Sequence, residues 1–389
     1  MIRGEPRGFP RAAWWLAWVG LAVIGLALVV QWRGLLRIDW LTLWSAGRLA
    51  LTGHAAAAYD PAALGRVAGL GDVGQSLPFA YPPQALLLLA PFAVVPPWLG
   101  GAVWVAIGLA AYLVAARSGS RASDAQHAAF APLLHNAVIG QTGALTGALL
   151  LGGIGQVERR PWLAGGLLGL LLVKPQVALM VPVALVAARR WRVICAAAVS
   201  ALVMTGAAWL AFGSAPFAAL AGEAGTYAAR AAAPAAARKF TSVYASAASL
   251  GIAPGAALAL HGLVAALAAW RLWRGWRAAG PVDQGRVMLL LAASALASPY
   301  LFAYDMMPLG VVILWLAGQG EDRRLLLLCW AWPLLGLAQW FGLVGGPNLG
   351  VALPLLLLLL VERRLTDRSP QTAAGIAPDG RILAQSEAG

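Results

Sequence analysis

The sequence predicts an all-α polytopic membrane protein, and three observations support this fold class. First, 61% of the 389 residues are hydrophobic and 11% are charged, which leaves too little polar surface to cover soluble domains. Second, uncharged segments such as Ala12–Trp32 and Val193–Gly222 reach or exceed the roughly 20 residues that a helix needs to cross hydrocarbon. Third, Lys and Arg lie in short clusters between such segments, a pattern typical of membrane topology signals.

The net charge of +13 would suggest nucleic-acid binding in a soluble protein. Here the basic residues flank apolar segments, so we expect contact with membrane lipids and no nucleic-acid partner. If the N-terminus is cytoplasmic and the chain changes sides at each span, most of the 28 Lys and Arg residues fall on the cytoplasmic side. This distribution obeys the positive-inside rule, so both termini are expected in the cytoplasm. The expected location is a bacterial inner membrane.

Hydropathy predicts about ten to twelve spans in a single domain over residues 1–365, followed by a disordered cytoplasmic tail over residues 366–389. Several spans have only about 13 residues, so we expect tilted helices or half-helices that break at Gly, Pro or Asn inside the protein. A short extra helix over Pro82–Val95 is expected to dip into the outer leaflet. The predicted spans are Ala12–Trp32, Pro97–Ala116, His127–Ile139, Thr142–Gly155, Pro161–Val173, Pro175–Ala188, Val193–Phe212, Gly251–Trp270, Val287–Pro299, Met306–Gly318, Leu325–Leu343 and Leu349–Val361.

Two long loops are predicted outside the membrane, residues 33–81 and residues 213–250, and both are expected to carry short interfacial helices. In the first loop, the apolar residues of Trp40–Leu51 recur at helical spacing. Asp39 before this segment is a start signal and Gly53 after it is a stop signal. The pattern predicts a helix that lies in the membrane interface.

Asp39 lies near a predicted span end, where burial can tune the pKa of a carboxylate. Two roles are open for it. As a helix N-cap it would accept backbone N–H bonds and contribute about 1 kcal/mol. As a general base it would take a proton from an acceptor hydroxyl at the membrane surface. Trp40 and Trp44, which follow it, are either membrane-interface anchors or platforms on which a sugar ring stacks.

Lys174 stands in an apolar stretch, where a lysine costs about 2.5–3.5 kcal/mol unless it reaches the headgroups or finds a partner. It either snorkels to the outer headgroups or provides a counter-charge for an anionic phosphate. Asp305 lies between two outer span ends and has three open roles: capping the next helix, pairing with Lys174, or lining a donor pocket. Residues 140–143 (Gly-Gln-Thr-Gly), preceded by Asn136, form either a polar hairpin turn or part of a site.

We expect no metal site, because the four histidines lie on different segments without the ligand spacing of a zinc site. Phosphate-loop and dinucleotide glycine patterns are absent. The main alternative class is a polytopic transporter or lipid flippase, which also keeps ionisable residues within its spans. Transporters favour charges near the membrane midplane and internal repeats, whereas the polar motifs here lie at outer span ends. A scaffold subunit without catalysis is the third class.

The polar motifs resemble, in their order, those of glycosyltransferase family 87. This family contains membrane enzymes of the GT-C type, including polyprenol-phosphate-mannose-dependent mannosyltransferases. Each motif is short, so the resemblance rests on their order and on their positions relative to the spans. The matching residues are Asp39-Trp40-Leu41-Thr42-Leu43-Trp44-Ser45-Ala46-Gly47 with Gly53 and Tyr59-Asp60, Phe79-Ala80-Tyr81-Pro82-Pro83, Asn136 with Gly140-Gln141, Lys174-Pro175, and Ser298-Pro299 through Tyr304-Asp305.

The resemblance implies a GT-C type bundle of about ten to twelve transmembrane helices. It implies transfer of a hexose, expected to be mannose, from a polyprenyl-phosphate donor to a hydroxyl of a lipid or glycan acceptor on the non-cytoplasmic face. Direct displacement by the acceptor would invert the anomeric centre. No cofactor is implied beyond this lipid-phosphate sugar.

Asp39 matches the catalytic aspartate of the family and would be the base. Lys174, with Arg238 or Lys239 as substitutes, would steady the donor phosphate. The last motif differs from the mannosyltransferase pattern, because Tyr304-Asp305 stands where a histidine is expected. The implied substrate-binding residues are Lys174, Gln141, Asn136, Tyr81, Tyr59, Asp305, Tyr304, Arg238 and Lys239.

Overall fold

The computed structural model describes residues 15, 18–19, 22, 38–69, 78–232, 239–340 and 342–367. Within these ranges the ordered elements are helices, and the one extended pairing is an isolated antiparallel bridge between Phe240 and Phe302. The prediction of an all-α membrane fold is confirmed. The predicted first span, Ala12–Trp32, falls almost entirely outside the described residues, as do Arg238 and nearly all of the predicted tail.

The helices vary widely in length, and several are extended or joined by 3-10 turns. The α-helices of the described residues are α1 (Ile38–Leu51), α2 (Pro61–Ala68), α3 (Gln84–Leu89), α4 (Pro97–Ala116), α5 (Asp124–Ala128), α6 (Ala131–Ile139), α7 (Gly143–Gly155), α8 (Pro161–Gly169), α9 (Met180–Ala187), α10 (Trp191–Phe212), α11 (Ala215–Ala232), α12 (Val243–Ser249), α13 (Pro254–Trp276), α14 (Gln284–Ser294), α15 (Pro308–Gly318), α16 (Arg323–Trp340) and α17 (Ala352–Asp367). The 3-10 helices are Ala55–Tyr59, Ala90–Ala93, Leu170–Val173, Pro175–Ala178 and Ala303–Met306.

Among the described helices, α4, α10 and α13 are each long and apolar enough to cross a membrane. The predicted span Pro97–Ala116 coincides with α4. The expectation of helices that break inside the protein is met at the Lys174-Pro175 step, where 3-10 turns on both sides separate α8 from α9. The extra helix predicted over Pro82–Val95 is present as α3 and the 3-10 turn after it.

The predicted span His127–Ile139 is wrong, because two helices occupy this stretch. α5 begins earlier, where Ser123 and Gln126 form a capping box. Phe130 then has an extended backbone, and α6 begins with Pro132 in its first turn. Hydropathy misses the break because no charged residue marks it.

Helix packing in the bundle depends on small residues. A side chain at Gly165 of α8 would lie 2.4 Å from the Val193 carbonyl oxygen, and one at Gly169 would lie 2.5 Å from that of Ala197. Glycine therefore lets the backbones of α8 and α10 approach closely. α15 is buried from Pro308 to Leu316 and lies in the main core with α14. α10 and α13 instead leave most of their apolar surface uncovered by protein, as helices against lipid do.

Ion pairs connect the loops that the alternation of spans assigns to the cytoplasm. Arg190, which precedes α10, lies 2.7 Å from the carboxylate of Glu158, which follows α7. Glu321, between α15 and α16, accepts bonds from Arg363 at 2.6 Å and Arg364 at 2.9 Å at the end of α17. Loops far apart in sequence but predicted on one side of the membrane thus contact one another.

Candidate functional site

Helix α1 carries Asp39 into the site. The helix begins at Ile38, so Asp39 lies in its first turn, and the carboxylate accepts a bond from the Gln141 side chain. No described backbone N–H of α1 donates to this carboxylate. The N-cap role is therefore wrong for Asp39. The helix ends before Gly53, whose φ of 79° confirms the predicted stop.

Two tryptophans attach α1 to the first residue of α4 and to the segment just before it. The indole N–H of Trp40 donates to Pro97 O at 2.7 Å, and that of Trp44 donates to Val95 O at 2.9 Å. Trp40 is buried, and its ring stacks on Trp104 with 5.8 Å between centroids. Both roles suggested for Trp40 are therefore wrong, since its ring faces protein instead of headgroups or a sugar. These contacts hold the first turn of α1 in place.

Gln141 connects Asp39 to Tyr81. Its Nε2 donates to Asp39 Oδ1 at 3.0 Å, and its Oε1 accepts from the Tyr81 hydroxyl at 2.8 Å. The Tyr81 hydroxyl also lies 3.1 Å from Thr142 Oγ1. Asp39 is half-buried, and its second oxygen, Oδ2, receives no hydrogen bond from any described residue. Gln141 thus orients one oxygen of the carboxylate, and no described residue forms a hydrogen bond to the other.

The environment of Asp39 changes its affinity for a proton. Burial raises the pKa of this carboxylate, and the effect exceeds the opposing influences of the Gln141 hydrogen bond and of the positive charges on Lys239 and Lys174. A carboxylate with a raised pKa is a stronger base than an exposed one. The arrangement therefore suits proton abstraction from a hydroxyl.

Gly140 determines where Gln141 leaves α6. Its φ of 70° is a left-handed conformation, and a Cβ atom there would lie 2.8 Å from Trp40 Cβ. We expect Gly140→Ala to lower the free energy of unfolding by about 1–3 kcal/mol, because it adds both backbone strain and a clash. Thermal unfolding of the detergent-solubilised protein measures this loss.

Gly206→Ala is the matched control for that substitution. Gly206 lies inside α10 with no atom within 4 Å of its missing side chain, so alanine there should be neutral or stabilising. Equal unfolding temperatures for Gly140→Ala and wild type would contradict the expected strain.

Lys174 and Asp305 form a buried ion pair. Lys174 Nζ lies 2.6 Å from Asp305 Oδ1, and the two side chains are 2% and 0% exposed. The snorkelling role of Lys174 is therefore wrong, because its ammonium finds a carboxylate inside the protein. Of the three roles open for Asp305, pairing is present. Its Oδ2 also accepts a long 3.4 Å bond from the backbone N of Phe302, at the start of the 3-10 turn.

Asp305 also lines a cavity, but this cavity has a volume of only about 20 Å³. Such a space holds about one water molecule and no sugar. Within the described residues, the role of Asp305 in lining a donor pocket is therefore not supported by that cavity. A buried pair of this kind instead fixes the relative position of the two segments that carry it.

Aromatic rings surround the Lys174 ammonium and connect it to Asp39. Nζ lies 4.6 Å from the centroid of the Tyr304 ring and 6.0 Å from those of Tyr81 and Phe302. Tyr81 therefore contacts both halves of the site, with its ring beside Lys174 and its hydroxyl bonded to Gln141. The implied residues Asp39, Tyr81, Gln141, Lys174, Tyr304 and Asp305 form one cluster.

Asn136 lies next to this cluster. It is buried, and its Oδ1 has no hydrogen-bond partner among the described residues. A side chain at Gly143 would lie 2.8 Å from both Asn136 Oδ1 and the Tyr304 carbonyl oxygen. The glycine therefore lets Asn136 and the Tyr304 backbone approach each other.

The end of the second outside loop joins the Tyr304 segment. Besides the bridge between Phe240 and Phe302, Thr241 N donates to Leu301 O at 2.7 Å and Ser242 Oγ donates to Pro299 O at 2.7 Å. These bonds place Lys239 near Asp39, where its positive charge opposes in part the larger effect by which burial raises the pKa of the carboxylate. Lys239 is exposed and forms no ion pair with a described residue.

A cavity of about 310 Å³ lies against the same segments. Tyr59 and Phe79 line one wall, and Glu223, Tyr227 and Tyr300 line others. The Tyr59 hydroxyl donates to the backbone oxygen of Tyr81 at 2.9 Å, and the Phe79 ring lies 5.4 Å from the Tyr81 ring. The cavity and the Asp39 network therefore share the segment that contains Tyr81.

Gln176, Glu223 and Tyr227 also line this cavity, although no sequence motif predicts a role for them. The signal in α11 is the spacing of its lining residues, which recur from Leu220 to Tyr227 at i, i+3, i+4 and i+7. Such a face is equally typical of an interfacial helix, so spacing alone does not reveal a cavity.

Comparison with known proteins identifies the family. The model of glycosyltransferase family 87 matches residues 79–299, which is more than half of the chain. The match includes Tyr81, Asn136, Gln141 and Lys174, whereas Asp39 precedes it. No curated protein and no solved structure matches the chain. The protein belongs to glycosyltransferase family 87 and is a membrane glycosyltransferase.

Proposed function

We propose that the protein transfers a hexose, mannose, from a polyprenyl-phosphate donor to a hydroxyl of a glycolipid or glycan, with inversion at the anomeric carbon. The observation that carries this proposal is the Asp39 carboxylate. Gln141 holds its Oδ1 at 3.0 Å, its Oδ2 accepts no bond from a described residue, and burial raises its pKa. These are properties of a general base at a membrane surface.

In the proposed reaction, Asp39 Oδ2 takes the proton of the acceptor hydroxyl. The acceptor oxygen then forms a bond to the anomeric carbon from the side opposite the phosphate, while the bond between that carbon and the phosphate oxygen breaks. The electron pair leaves with the polyprenyl phosphate, and charge develops as in other oxocarbenium-like sugar transfers. The donor already contains its leaving group, so a base and positive charge near the phosphate suffice.

The two lysines near the site have different roles in this proposal. Lys174 is neutralised by Asp305, so its main role is to hold Tyr304 and Tyr81 in place. Lys239 is exposed, carries no ion pair with a described residue and influences Asp39 electrostatically. We therefore assign the phosphate contact to Lys239, with Arg238 as its neighbour in sequence.

The proposed architecture is of the GT-C type, in a bacterial inner membrane. The basic loops that contact one another through Glu158 and Glu321 would face the cytoplasm, following the positive-inside rule. The Asp39 cluster would then face the other side, where a lipid-linked sugar replaces a nucleotide sugar as the donor. Labelling of the Ala221→Cys variant in intact cells tests this orientation, since a membrane-impermeant thiol reagent reacts only with a cysteine that faces outward.

A reconstituted transfer assay tests the proposed function. Purified protein in liposomes receives polyprenyl-phosphate mannose, its glucose counterpart or a nucleotide sugar, together with lipids extracted from a strain that lacks the gene. We expect release of polyprenyl phosphate and a new glycoside from the mannose donor. Transfer directly from the nucleotide sugar would overturn the proposed donor, and lipid movement across the bilayer without transfer would favour a flippase.

The pH dependence of transfer tests the role of Asp39. Because the base must be deprotonated, kcat/KM falls as the pH drops through the raised pKa of this carboxylate, so the acidic limb should lie above the range of an ordinary aspartate. Gln141→Leu removes a bond that lowers the pKa and should move the limb to higher pH. An acidic limb that Gln141→Leu leaves unchanged would assign it to another group.

A further inference from the structure

The cavity of about 310 Å³ is lined by polar residues whose side chains have no hydrogen-bond or ion-pair partner in the described part of the chain. The polar residues of the lining include Glu223, Gln176, Tyr227 and Tyr300. None of these side-chain groups forms a hydrogen bond or ion pair with a described residue, whereas the Tyr59 hydroxyl is bonded to Tyr81 O. Polar groups that converge on a cavity of this size are typical of small-molecule sites.

The aromatic lining adds a second feature. Tyr59 and Phe79 are buried and stand edge to face at 5.5 Å, and Tyr227 and Tyr300 stand edge to face at 6.5 Å. Aromatic rings provide apolar faces for the C–H groups of a sugar. A carboxylate accepts hydrogen bonds from the sugar hydroxyls, and an amide can both accept such bonds and donate them. One ligand class satisfies both features of the lining.

The charge of the cavity lining distinguishes between three candidate ligands: a phosphate, an isoprenoid chain and a neutral sugar. The described lining contains no Lys or Arg, and its one formal charge is the Glu223 carboxylate. A phosphate would meet repulsion in such a site, and an isoprenoid chain would remove water from the carboxylate without replacing its hydrogen bonds. A neutral polyhydroxyl ring avoids both penalties.

We propose that this cavity binds a neutral hexose unit of the acceptor glycan and thereby presents the acceptor hydroxyl to Asp39. The proposal rests on the proposed function. The shared wall supports it, because the segment of Phe79 and Tyr81 touches the cavity on one side and the bond network of Gln141 on the other.

Ligand-observed saturation-transfer NMR with methyl α-mannoside tests the proposal, using protein in a detergent that contains no sugar. We expect saturation transfer to the ring protons in wild type and a loss of about tenfold in affinity in Glu223→Gln, where a hydrogen bond to a charged group is weakened. Ala224→Phe fills the cavity from α11 and should remove the signal. Ala221→Phe, on an exposed part of α11 outside the lining, is the matched control and should bind as wild type does.

Farnesyl phosphate serves as the second probe, for the donor chain and its phosphate. Its binding should be unchanged in Ala224→Phe and Glu223→Gln. Three results would each overturn the proposal. The first is no mannoside signal in wild type, and the second is an equal mannoside signal in all variants. The third is that the variants lose binding of farnesyl phosphate but keep binding of the mannoside.

The transfer assay separates failure of this inference from failure of the proposed function. If the cavity is the acceptor site, Glu223→Gln raises the KM for the extracted acceptor lipids about tenfold and leaves the KM for the donor unchanged. Transfer with an unchanged acceptor KM would overturn the cavity assignment alone. Mannoside binding in the cavity without any transfer would overturn the proposed function and leave the sugar site standing.

Discussion

Asp39→Asn is expected to lower the rate of sugar transfer by about 10²- to 10⁴-fold, the contribution typical of a general base. The amide has almost the same shape as the carboxylate and can still accept the bond from Gln141 Nε2 through its oxygen. It cannot take a proton from the acceptor. The fold and donor binding should therefore remain, and release of polyprenyl phosphate under saturating donor measures the loss.

Asp60→Asn is the matched control for Asp39→Asn. Asp60 is another acidic residue of the first outside loop, and it caps α2 by accepting a bond from Ala62 N at 2.9 Å. Asparagine serves equally well as a cap, so transfer should change little. Undiminished transfer by Asp39→Asn would remove Asp39 as the base, and an equal loss in both variants would point to a general effect on the loop.

Lys174→Met is expected to lower the free energy of unfolding by about 3–5 kcal/mol, because it leaves the Asp305 carboxylate buried without its partner. Asp305→Leu should cost a similar amount by stranding the lysine. The double variant Lys174→Met/Asp305→Leu should recover most of this loss, since an apolar pair needs no compensating charge. Thermal unfolding of the four proteins in one detergent gives the coupling between the two sites.

Arg66→Met supplies the comparison for an exposed ion pair. Arg66 lies 3.9 Å from Asp60, and both side chains are more than half exposed. Its loss should change stability by less than about 1 kcal/mol. If Lys174→Met and Asp305→Leu are as stable as Arg66→Met, this result would contradict a buried ion pair. Sugar transfer by the double variant also tests whether Lys174 positions the neighbouring rings or contacts the donor phosphate. We expect the double variant to retain more activity if Lys174 only positions the rings.

Local sequence patterns were sufficient for much of the fold. α4 coincides with its predicted span because Pro96-Pro97 begins it and Arg117 follows it at the edge of an uncharged run. α1 was predicted from its helical spacing and from Gly53. Breaks inside apolar stretches, as at Phe130, were not predictable, because hydropathy does not register a change in backbone conformation.

The candidate site depends on contacts between distant residues. Gln141 and Asp39 are 102 positions apart, and Lys174 and Asp305 are 131 apart. The sequence identified these residues as unusual, because polar groups near span ends need partners, but it left several roles open for each. The pairing of Asp305 with Lys174 and the structural role of Trp40 follow only from tertiary packing.

The separation of Lys174 from Asp305 also bears on how the chain is made. At a synthesis rate of about 5–20 residues per second, the 131 positions between them mean that Lys174 leaves the ribosome about 7–26 s before its partner. During that interval the membrane contains a lysine whose charge is uncompensated, and only the arrival of Asp305 after α14 neutralises it. A chain that stops before Asp305 would therefore display an unpaired charge within its helices, a feature by which membrane quality control could distinguish incomplete chains from finished ones.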